Sequence, residues 1–311
     1  MRIAFLEALT ELAYRDKDLY LINADTGFKV FDEFRNIFPK QYLNIGISES
    51  AMISIASGLA LSNKNVFIYG IVPFITMRCF EQIRNDLCFH KLPVKLIGVG
   101  GGLTYGAEGA SHHSIEDIAV MSSLPNMSVV CPGDPVETKL AMENLDKVKG
   151  PIYIRLGKTG ENTIHKNGVK QFQIGKGIVI KDGHSLAIVA TGNMLETALD
   201  VHSRLTKIGM MPKLISMHTV KPIDRELLID IVSDCNTIVT IEEHSIIGGL
   251  GSRVSDIITE ENIHVRLKKI TLPDKYVETV GDHNYLRKVF NLLPDQITQS
   301  IQNTLLVNSK T

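Results

Sequence analysis

Short strand-like and helix-like segments alternate along almost the whole chain, and this pattern constrains the fold most. In the first half, strands are predicted at 19–24, 42–45, 65–69, 94–99, 127–131 and 152–156, and helices at 3–14, 31–38, 51–61, 73–89, 115–123 and 136–145. Such regular alternation is typical of crossover connections between parallel strands. The pattern therefore predicts an α/β fold with a mostly parallel sheet covered on both faces.

The alternation stops between positions 157 and 183, where Lys, Gly, Asn, Gln and Thr dominate as in a connector. It then resumes with strands at 186–190, 213–216, 237–241 and 265–271, and helices at 195–208, 225–232 and 250–259. We predict two doubly wound α/β domains, at 1–160 and 184–311, joined by a linker at 161–183. A length of 311 residues also favours two domains.

Composition narrows the functional classes. A net charge of −1 and 44% hydrophobic residues exclude a disordered chain and a basic nucleic-acid surface. The four cysteines show no CxxC spacing, so we expect reduced thiols and no zinc ribbon. No apolar run reaches the roughly 18 residues of a membrane span, and the first 17 residues carry several charges. The sequence predicts a cytoplasmic protein that binds small molecules or protein partners.

The stretch 42–61 joins a short strand, which stops at Gly46, to an apolar helix, and its only carboxylate is Glu49. Open α/β sheets bind ligands outside the carboxyl ends of their strands, so this position favours a ligand site. Helix capping is the alternative, because Ser48 could cap the helix and an acid in the first turn is stabilised by the helix dipole.

A glycine-rich loop at 100–117 holds the densest group of polar side chains. Five ionisable residues lie in it, namely Glu108, His112, His113, Glu116 and Asp117. His112 and Glu116 have helical spacing, but a metal site would need further ligands from elsewhere. We predict no metal site here and take His112 and Glu108 as candidate substrate contacts, with ordinary loop hydrogen bonding as the alternative.

Several segments, in colinear order, resemble the pyrimidine-binding domain of transketolases: GISESAMISIASGLAL, PFITMRCFEQIRNDL, GLTYGAEGASHHSIEDIAVMSSLPNMSVVCPGDPVE and GPIYIRLGK. Three later ones resemble the C-terminal domain of that family: ATGNMLETAL, VKPID and TIEEHSIIGGLGS. The resemblance covers nearly the whole chain and is greatest to the separately encoded C-terminal half of split transketolases.

This resemblance implies thiamine diphosphate as cofactor and gives Glu49 a catalytic role. In the family, the matching glutamate hydrogen-bonds the aminopyrimidine ring and promotes its imino form. Small, apolar neighbours, among them Ala51, Ile53 and Ile55, are compatible with a partly desolvated carboxyl that shares a proton with a ring nitrogen. Catalysis is therefore favoured over capping.

The resemblance assigns further site residues position by position. His112 matches the histidine near the cofactor's amino group and the substrate, and Asp25 matches an aspartate close to the cofactor. Glu108 stands where the family usually has an aspartate that contacts a substrate hydroxyl. Arg155 and Arg2 resemble arginines that bind a sugar phosphate through the guanidinium fork.

One aromatic and one basic residue of the segment 73–89 complete the predicted cofactor site. Phe74 is expected to pack on the aminopyrimidine, with a core position as the alternative. Arg78 is expected to support the pocket or a subunit contact. Lys29 and Gly100 replace the family's phosphate-binding serine and histidine, which implies that the substrate's anionic end is bound differently or is lacking.

The chain contains no GDG tripeptide, the motif through which the superfamily binds the diphosphate by way of Mg²⁺. The resemblance therefore implies that the metal is held by another polypeptide. The expected assembly is an α₂β₂ heterotetramer in which the cofactor lies between this chain and a diphosphate-binding subunit.

The function implied by the resemblance is ketol transfer, in which a two-carbon unit moves from a ketose, phosphorylated or not, to an aldose. One alternative is the beta subunit of a 2-oxoacid dehydrogenase or a relative of deoxyxylulose-phosphate synthase. An alternative of another class is a non-catalytic scaffold or regulatory subunit.

Overall fold

The computed structural model describes residues 1–27, 29–158 and 160–306, apart from the side chain of residue 306. The first half contains the strands β1 (Leu19–Asn23), β2 (Tyr42–Asn44), β3 (Asn65–Ile71), β4 (Lys95–Val99), β5 (Ser128–Val130) and β6 (Ile152–Leu156). Its helices are α1 (Arg2–Arg15), α2 (Asp32–Ile37), α3 (Glu49–Leu61), α4 (Val72–Thr76), α5 (Phe80–Gln82), α6 (Asp117–Ser122) and α7 (Pro135–Glu143).

The second half contains the strands β7 (Ile178–Lys181), β8 (Ala187–Ala190), β9 (Lys213–Ser216), β10 (Thr219–Lys221), β11 (Thr237–Ser245) and β12 (Arg266–Leu272). Its helices are α8 (Leu195–Lys207), α9 (Arg225–Asp234), α10 (Leu250–Glu260), α11 (His283–Val289) and α12 (Pro294–Leu306). Among the described residues, no helix is both long and apolar enough to cross a membrane.

Two sheets organise these elements. The first has the order β10-β5-β6-β4-β3-β1-β2 and the second β12-β11-β8-β9-β7. All pairings are parallel except those of β10 with β5 and of β7 with β9. The predicted α/β class with mostly parallel sheets is therefore confirmed.

One strand of the second half is part of the sheet of the first half. Strand β10 comes from the second half but extends the first sheet, with Thr219 opposite Val130 and Lys221 opposite Val129. Strand β7 lies inside the segment 161–183, predicted as a linker, and pairs with the second sheet. The limits 1–160 and 184–311 stay a prediction, and the last five residues of the second range lie outside the described residues.

One predicted helix was wrong, and two helices were not predicted. The helix predicted at 73–89 is divided into α4, α5 and a π-helical turn (Ile83–Cys88). The break follows α4, where the backbone N–H groups of Met77 and Arg78 both donate to the carbonyl of Pro73. Helices α11 and α12 were not predicted, although Ile297, Ile301 and Leu305 recur every four residues along α12.

Side chains alternate between the faces of the first sheet and build a core on each. Leu21 and Phe67 pack on one face with residues of α1, whereas Ile22 and Ile68 pack on the other with Ile53 of α3. Both faces are therefore occupied by helices. This packing leaves the carboxyl ends of the strands as the place for polar chemistry.

The glycine loop after β4 lies against the second half of the chain. Gly102 has φ +71°, and a Cβ there would lie 2.3 Å from Oε1 of the buried Glu243. That carboxylate accepts from the backbone N–H of Leu103 at 2.7 Å and from His283 and Arg287. The loop therefore needs glycine for its backbone angle and for the close approach.

We expect Gly102→Ala to lower the free energy of unfolding by about 2 to 5 kcal/mol, because backbone strain and steric overlap add. Gly168→Ala is the matched control, since Gly168 has φ +73° but nothing within 4 Å of its added Cβ. It should lose only about 1 kcal/mol, the strain alone. Equal losses in chemical denaturation would contradict the steric part of the explanation.

Candidate active site

The predicted site residues follow neighbouring strands of the first sheet at its carboxyl edge. Asp25 follows β1, Glu49 begins α3 after β2, and Phe74 lies in α4 after β3. His112 lies in the loop that follows β4. Because these strands are parallel neighbours, their ends place the side chains along one edge.

Glu49 is a buried carboxylate at the first position of α3. It is 4% exposed and continues the buried face of the helix, which consists of Glu49, Met52, Ile53, Ala56, Ser57 and Ala60. Ser48 forms no side-chain capping hydrogen bond. Of the apolar neighbours expected to desolvate Glu49, only Ile53 is buried, whereas Ala51 and Ile55 are exposed.

The burial of Glu49 therefore comes from its packing toward the segment that follows β3. Cys79 lies on that segment and is buried. Burial, and then the charge of Glu49, raises the pKa of the Cys79 thiol to about 12. The thiol is therefore neutral at physiological pH and acts as a packing group, donating to the carbonyl of Ile75 at 3.1 Å.

Glu49, Arg78, Phe74 and His112 form a chain of contacts. Nη1 of Arg78 donates to Oε2 of Glu49 at 2.9 Å, and Cζ of Arg78 lies 4.6 Å from the centroid of the Phe74 ring. The rings of Phe74 and His112 meet edge to face, with centroids 5.1 Å apart. The structure thus brings four predicted residues into one cluster, which presents a carboxylate, an aromatic face and an imidazole.

Asp25 fixes the turn that follows β1. It has φ +53°, its backbone N–H donates to Oδ1 of Asn44 at 3.0 Å, and Nδ2 of Asn44 donates back to Oδ1 of Asp25 at 3.1 Å. This reciprocal contact joins the ends of β1 and β2. The Asp25 side chain is exposed and stands at the same edge as Glu49.

A second group of polar side chains adjoins His112. Nζ of Lys158 lies 3.6 Å from Oε1 of Glu108 and 4.6 Å from the centroid of Tyr105, whose ring is 6.1 Å from that of His112. Arg2 is close enough to Tyr105 to counter part of the rise in pKa that burial causes there. The structure therefore adds Tyr105 and Lys158 to the predicted residues.

Sequence reasoning missed Lys158, although a signal for it existed. It is the first charged residue beyond β6, at the same carboxyl edge of the sheet. A cation at a strand end points to a ligand site for the same reason as the carboxylate of Glu49 does.

Arg155, predicted to bind a sugar phosphate, lies in the interior. Its side chain is 3% exposed and its Nε donates to Oδ2 of Asp117 at 2.8 Å. Its Nη2 donates to the carbonyls of Ser114 and Glu243 at 2.9 and 3.1 Å. Tyr153 also donates to Asp117, at 2.7 Å. The contacts suit a structural anchor between the two halves, and Arg155 is not placed at the candidate site.

No metal-ligand set is formed by His, Cys, Asp or Glu within the described ranges, whose gaps are residues 28, 159 and 307–311. Glu116, paired with His112 in the metal alternative, instead accepts from the backbone N–H of Ile115 at 3.2 Å. His112 contacts Ser111, whose Oγ lies 3.0 Å from its Nδ1.

Comparisons with known proteins identify the family to which the chain belongs. Residues 1–160 match the family described as transketolase, pyrimidine binding domain, and residues 175–297 match the one described as transketolase, C-terminal domain. A protein of Phocaeicola vulgatus, described as one of the subunits of apulose-4-phosphate transketolase, is 35% identical over 91% of this chain and 90% of its own. A 1-deoxy-D-xylulose-5-phosphate synthase of Caldanaerobacter subterraneus is 30% identical over 98% of this chain but only 48% of its own length.

A solved structure described as a split gene transketolase, inactive beta4 tetramer, is also similar. It is 33% identical, with a TM-score of 0.88 over 98% of this chain and 97% of its own. Both halves of the chain therefore have counterparts in one known protein of the same extent.

Proposed function

The chain belongs to the transketolase family, and on that premise we propose that it is the pyrimidine-binding beta subunit of a split, thiamine diphosphate-dependent transketolase. It is a transferase subunit that moves a two-carbon ketol unit from a ketose to an aldose together with a partner. The observation that carries this proposal is the buried Glu49 carboxylate at the carboxyl edge of the sheet, linked through the guanidinium of Arg78 to the Phe74 ring.

The residues at this edge fit the aminopyrimidine of the cofactor. A flat ring that bears N–H donors needs an acceptor in its plane and an apolar surface against its face. The guanidinium of Arg78 is itself flat and bears N–H donors, and it finds both at Glu49 and Phe74. The chemistry of the site therefore suits such a group.

When bound, thiamine diphosphate supplies the carbanion chemistry that ketol transfer requires. Glu49 would hydrogen-bond the pyrimidine nitrogen and hold the proton that the ring gains and returns. Phe74 would pack against the ring face. His112, at the rim of Phe74, would orient the substrate and hydrogen-bond its oxygen atoms. Asp25 is proposed to lie beside the cofactor.

The substrate's polar end is proposed to lie near Glu108 and Lys158. Their side chains form an exposed pair beside Tyr105 and His112, where a hydroxyl or an anionic group could bind. Arg2, at the Tyr105 side of the site, is proposed to assist binding of an anionic substrate. We propose a sugar or sugar phosphate as substrate and leave Arg155 out of this site.

The partner is proposed to be a diphosphate-binding subunit that holds Mg²⁺, in an α₂β₂ assembly. Two observations support this: the chain has no GDG tripeptide, and the similar solved protein is described as an inactive tetramer of beta chains. All four cysteines are buried free thiols, which supports a cytoplasmic location.

Substrate assays distinguish the proposal from its alternatives. The chain, mixed with its partner, should form the extended ketose when given a ketose donor and an aldose. Activity only with a 2-oxoacid and a lipoyl domain would favour the dehydrogenase alternative. Condensation of pyruvate with an aldose phosphate would favour a deoxyxylulose-phosphate synthase.

We expect His112→Gln to lower kcat/KM of the reconstituted complex about 10- to 100-fold, because the amide cannot reproduce both donor and acceptor positions of the imidazole. His90→Gln is the control, since His90 is exposed and lies outside the site. Steady-state kinetics at several donor concentrations measure the change. An unchanged kcat/KM for His112→Gln would remove this residue from the site.

A further inference from the structure

Arg78 occupies the space between the two residues on which the proposed cofactor site depends. Its Nη1 donates to Oε2 of Glu49 at 2.9 Å. Its Cζ lies 4.6 Å from the centroid of Phe74, so the guanidinium covers that ring. The Glu49 side chain is 4% exposed, whereas that of Arg78 is 49% exposed. The Glu49 end of this ion pair is therefore buried, and the Arg78 end is half exposed to solvent.

The guanidinium and an aminopyrimidine are alike in shape and in hydrogen bonding. Both are flat, and each can direct an N–H group at a carboxylate oxygen in its own plane, the pyrimidine when its ring nitrogen is protonated, while an aromatic ring covers one face. Arg78 uses Oε2 of Glu49 and one face of Phe74, and we take the aminopyrimidine to use the same oxygen and the same face. Two flat groups cannot both make these contacts at van der Waals distance, so one has to leave before the other binds.

We propose that Arg78 is a gate that holds the place of the cofactor's aminopyrimidine in the subunit without cofactor. This inference rests on the proposed function. Cofactor binding then exchanges one flat donor for another at Glu49. Breaking the Arg78 contact opposes that exchange, so the gate weakens cofactor binding.

The burial of Glu49 gives a physical reason for such a residue. A carboxylate in the interior without a partner carries a large desolvation penalty, and Arg78 removes it while the cofactor is absent. Because Arg78 is half exposed, its charge can return to water when the guanidinium leaves. A fully buried arginine could not be displaced so easily.

The gate and a supporting role for Arg78 predict opposite changes in cofactor affinity. The test uses the complex reconstituted with the partner subunit, titrated calorimetrically with thiamine diphosphate in the presence of Mg²⁺. Arg78→Met should bind about tenfold more tightly, because a competing charge-assisted hydrogen bond is gone. Arg204→Met, which removes an exposed arginine paired with Asp200 in α8, should bind as the unsubstituted complex does.

Weaker or unchanged binding by Arg78→Met would overturn the gate. If the unsubstituted complex does not bind thiamine diphosphate at all, the proposed function fails and the gate fails with it. The two failures are thus distinguishable in one set of titrations.

A second measurement needs no cofactor and no partner. In the chain alone, Arg78→Met should lower the melting temperature, because Glu49 is left buried without its partner. The same substitution in a Glu49→Gln background should cause little further change, since the charge is absent. An equal fall in both backgrounds would show that Arg78 does not act through Glu49 and would overturn the inference.

Discussion

We expect Glu49→Gln to lower ketol transfer by the reconstituted complex about a thousandfold or more, with little change in folding. The amide keeps the size of the side chain and can still hydrogen-bond, but it cannot hold and return a proton. Glu49 is 4% exposed and is bonded to Arg78, which covers the Phe74 ring, and we propose that a ring nitrogen meets the carboxyl there. The loss should appear in kcat, measured with saturating donor and cofactor.

Glu33→Gln is the matched control for this prediction. Glu33 lies in the first turn of α2 and is exposed, so it interacts with a helix dipole as a capping acid would but faces no ligand. Its substitution should leave kcat unchanged. If both variants kept full activity, Glu49 would be a helix-terminal acid and the subunit a non-catalytic one.

Asp117→Asn is expected to lower the free energy of unfolding by about 3 to 5 kcal/mol, because it leaves the charge of Arg155 buried and unpaired. Asp117 is fully buried and contacts Arg155 at 2.8 Å and Tyr153 at 2.7 Å. Burial is the strongest effect and opposes its ionisation, but the charges of Arg155 and His244 and the hydrogen bonds from Arg155 and Tyr153 together hold the pKa of Asp117 below its ordinary value. The stabilisation is present at neutral pH and is lost as the pH falls through the lowered pKa.

An exposed ion pair provides the comparison. Asp256 contacts Arg253 at 3.2 Å, with side chains 53% and 42% exposed, and Asp256→Asn should cost about 0 to 1 kcal/mol. Denaturant unfolding at pH 7 measures both variants. Similar small losses would contradict the role of the Arg155–Asp117 pair as an anchor between the halves.

Much of the fold follows from periodicity alone, because buried parallel strands and their crossover helices are long apolar runs. Periodicity does not reveal short elements or strands at the edge of a sheet. Strand β10 has three residues and exists because the second half lies against β5. The long helix predicted at 73–89 shows the opposite failure, since continuous apolar spacing conceals the breaks between α4, α5 and the π-helical turn.

The residues of the candidate site also differ in how far the sequence alone reveals them. Glu49 is identifiable because a carboxylate occupies a core-facing position of a helix, ahead of Met52 and Ile53 at the spacing of one face. The substrate role of Arg155 stays a prediction, and nothing in a strand sequence shows that Asp117, 38 positions away, pairs with its guanidinium. Charged groups buried by tertiary contacts and those facing a ligand look alike in a sequence.

Ketol transfer by the chain alone, compared with the chain mixed with a diphosphate-binding subunit, tests the central proposal most directly. Both samples contain thiamine diphosphate, Mg²⁺, a ketose donor and an aldose acceptor, and formation of the new ketose is followed. We predict no turnover by the chain alone and turnover that rises with added partner until the two subunits are equimolar. Turnover by the isolated chain would contradict the proposal that its active site is completed by another polypeptide.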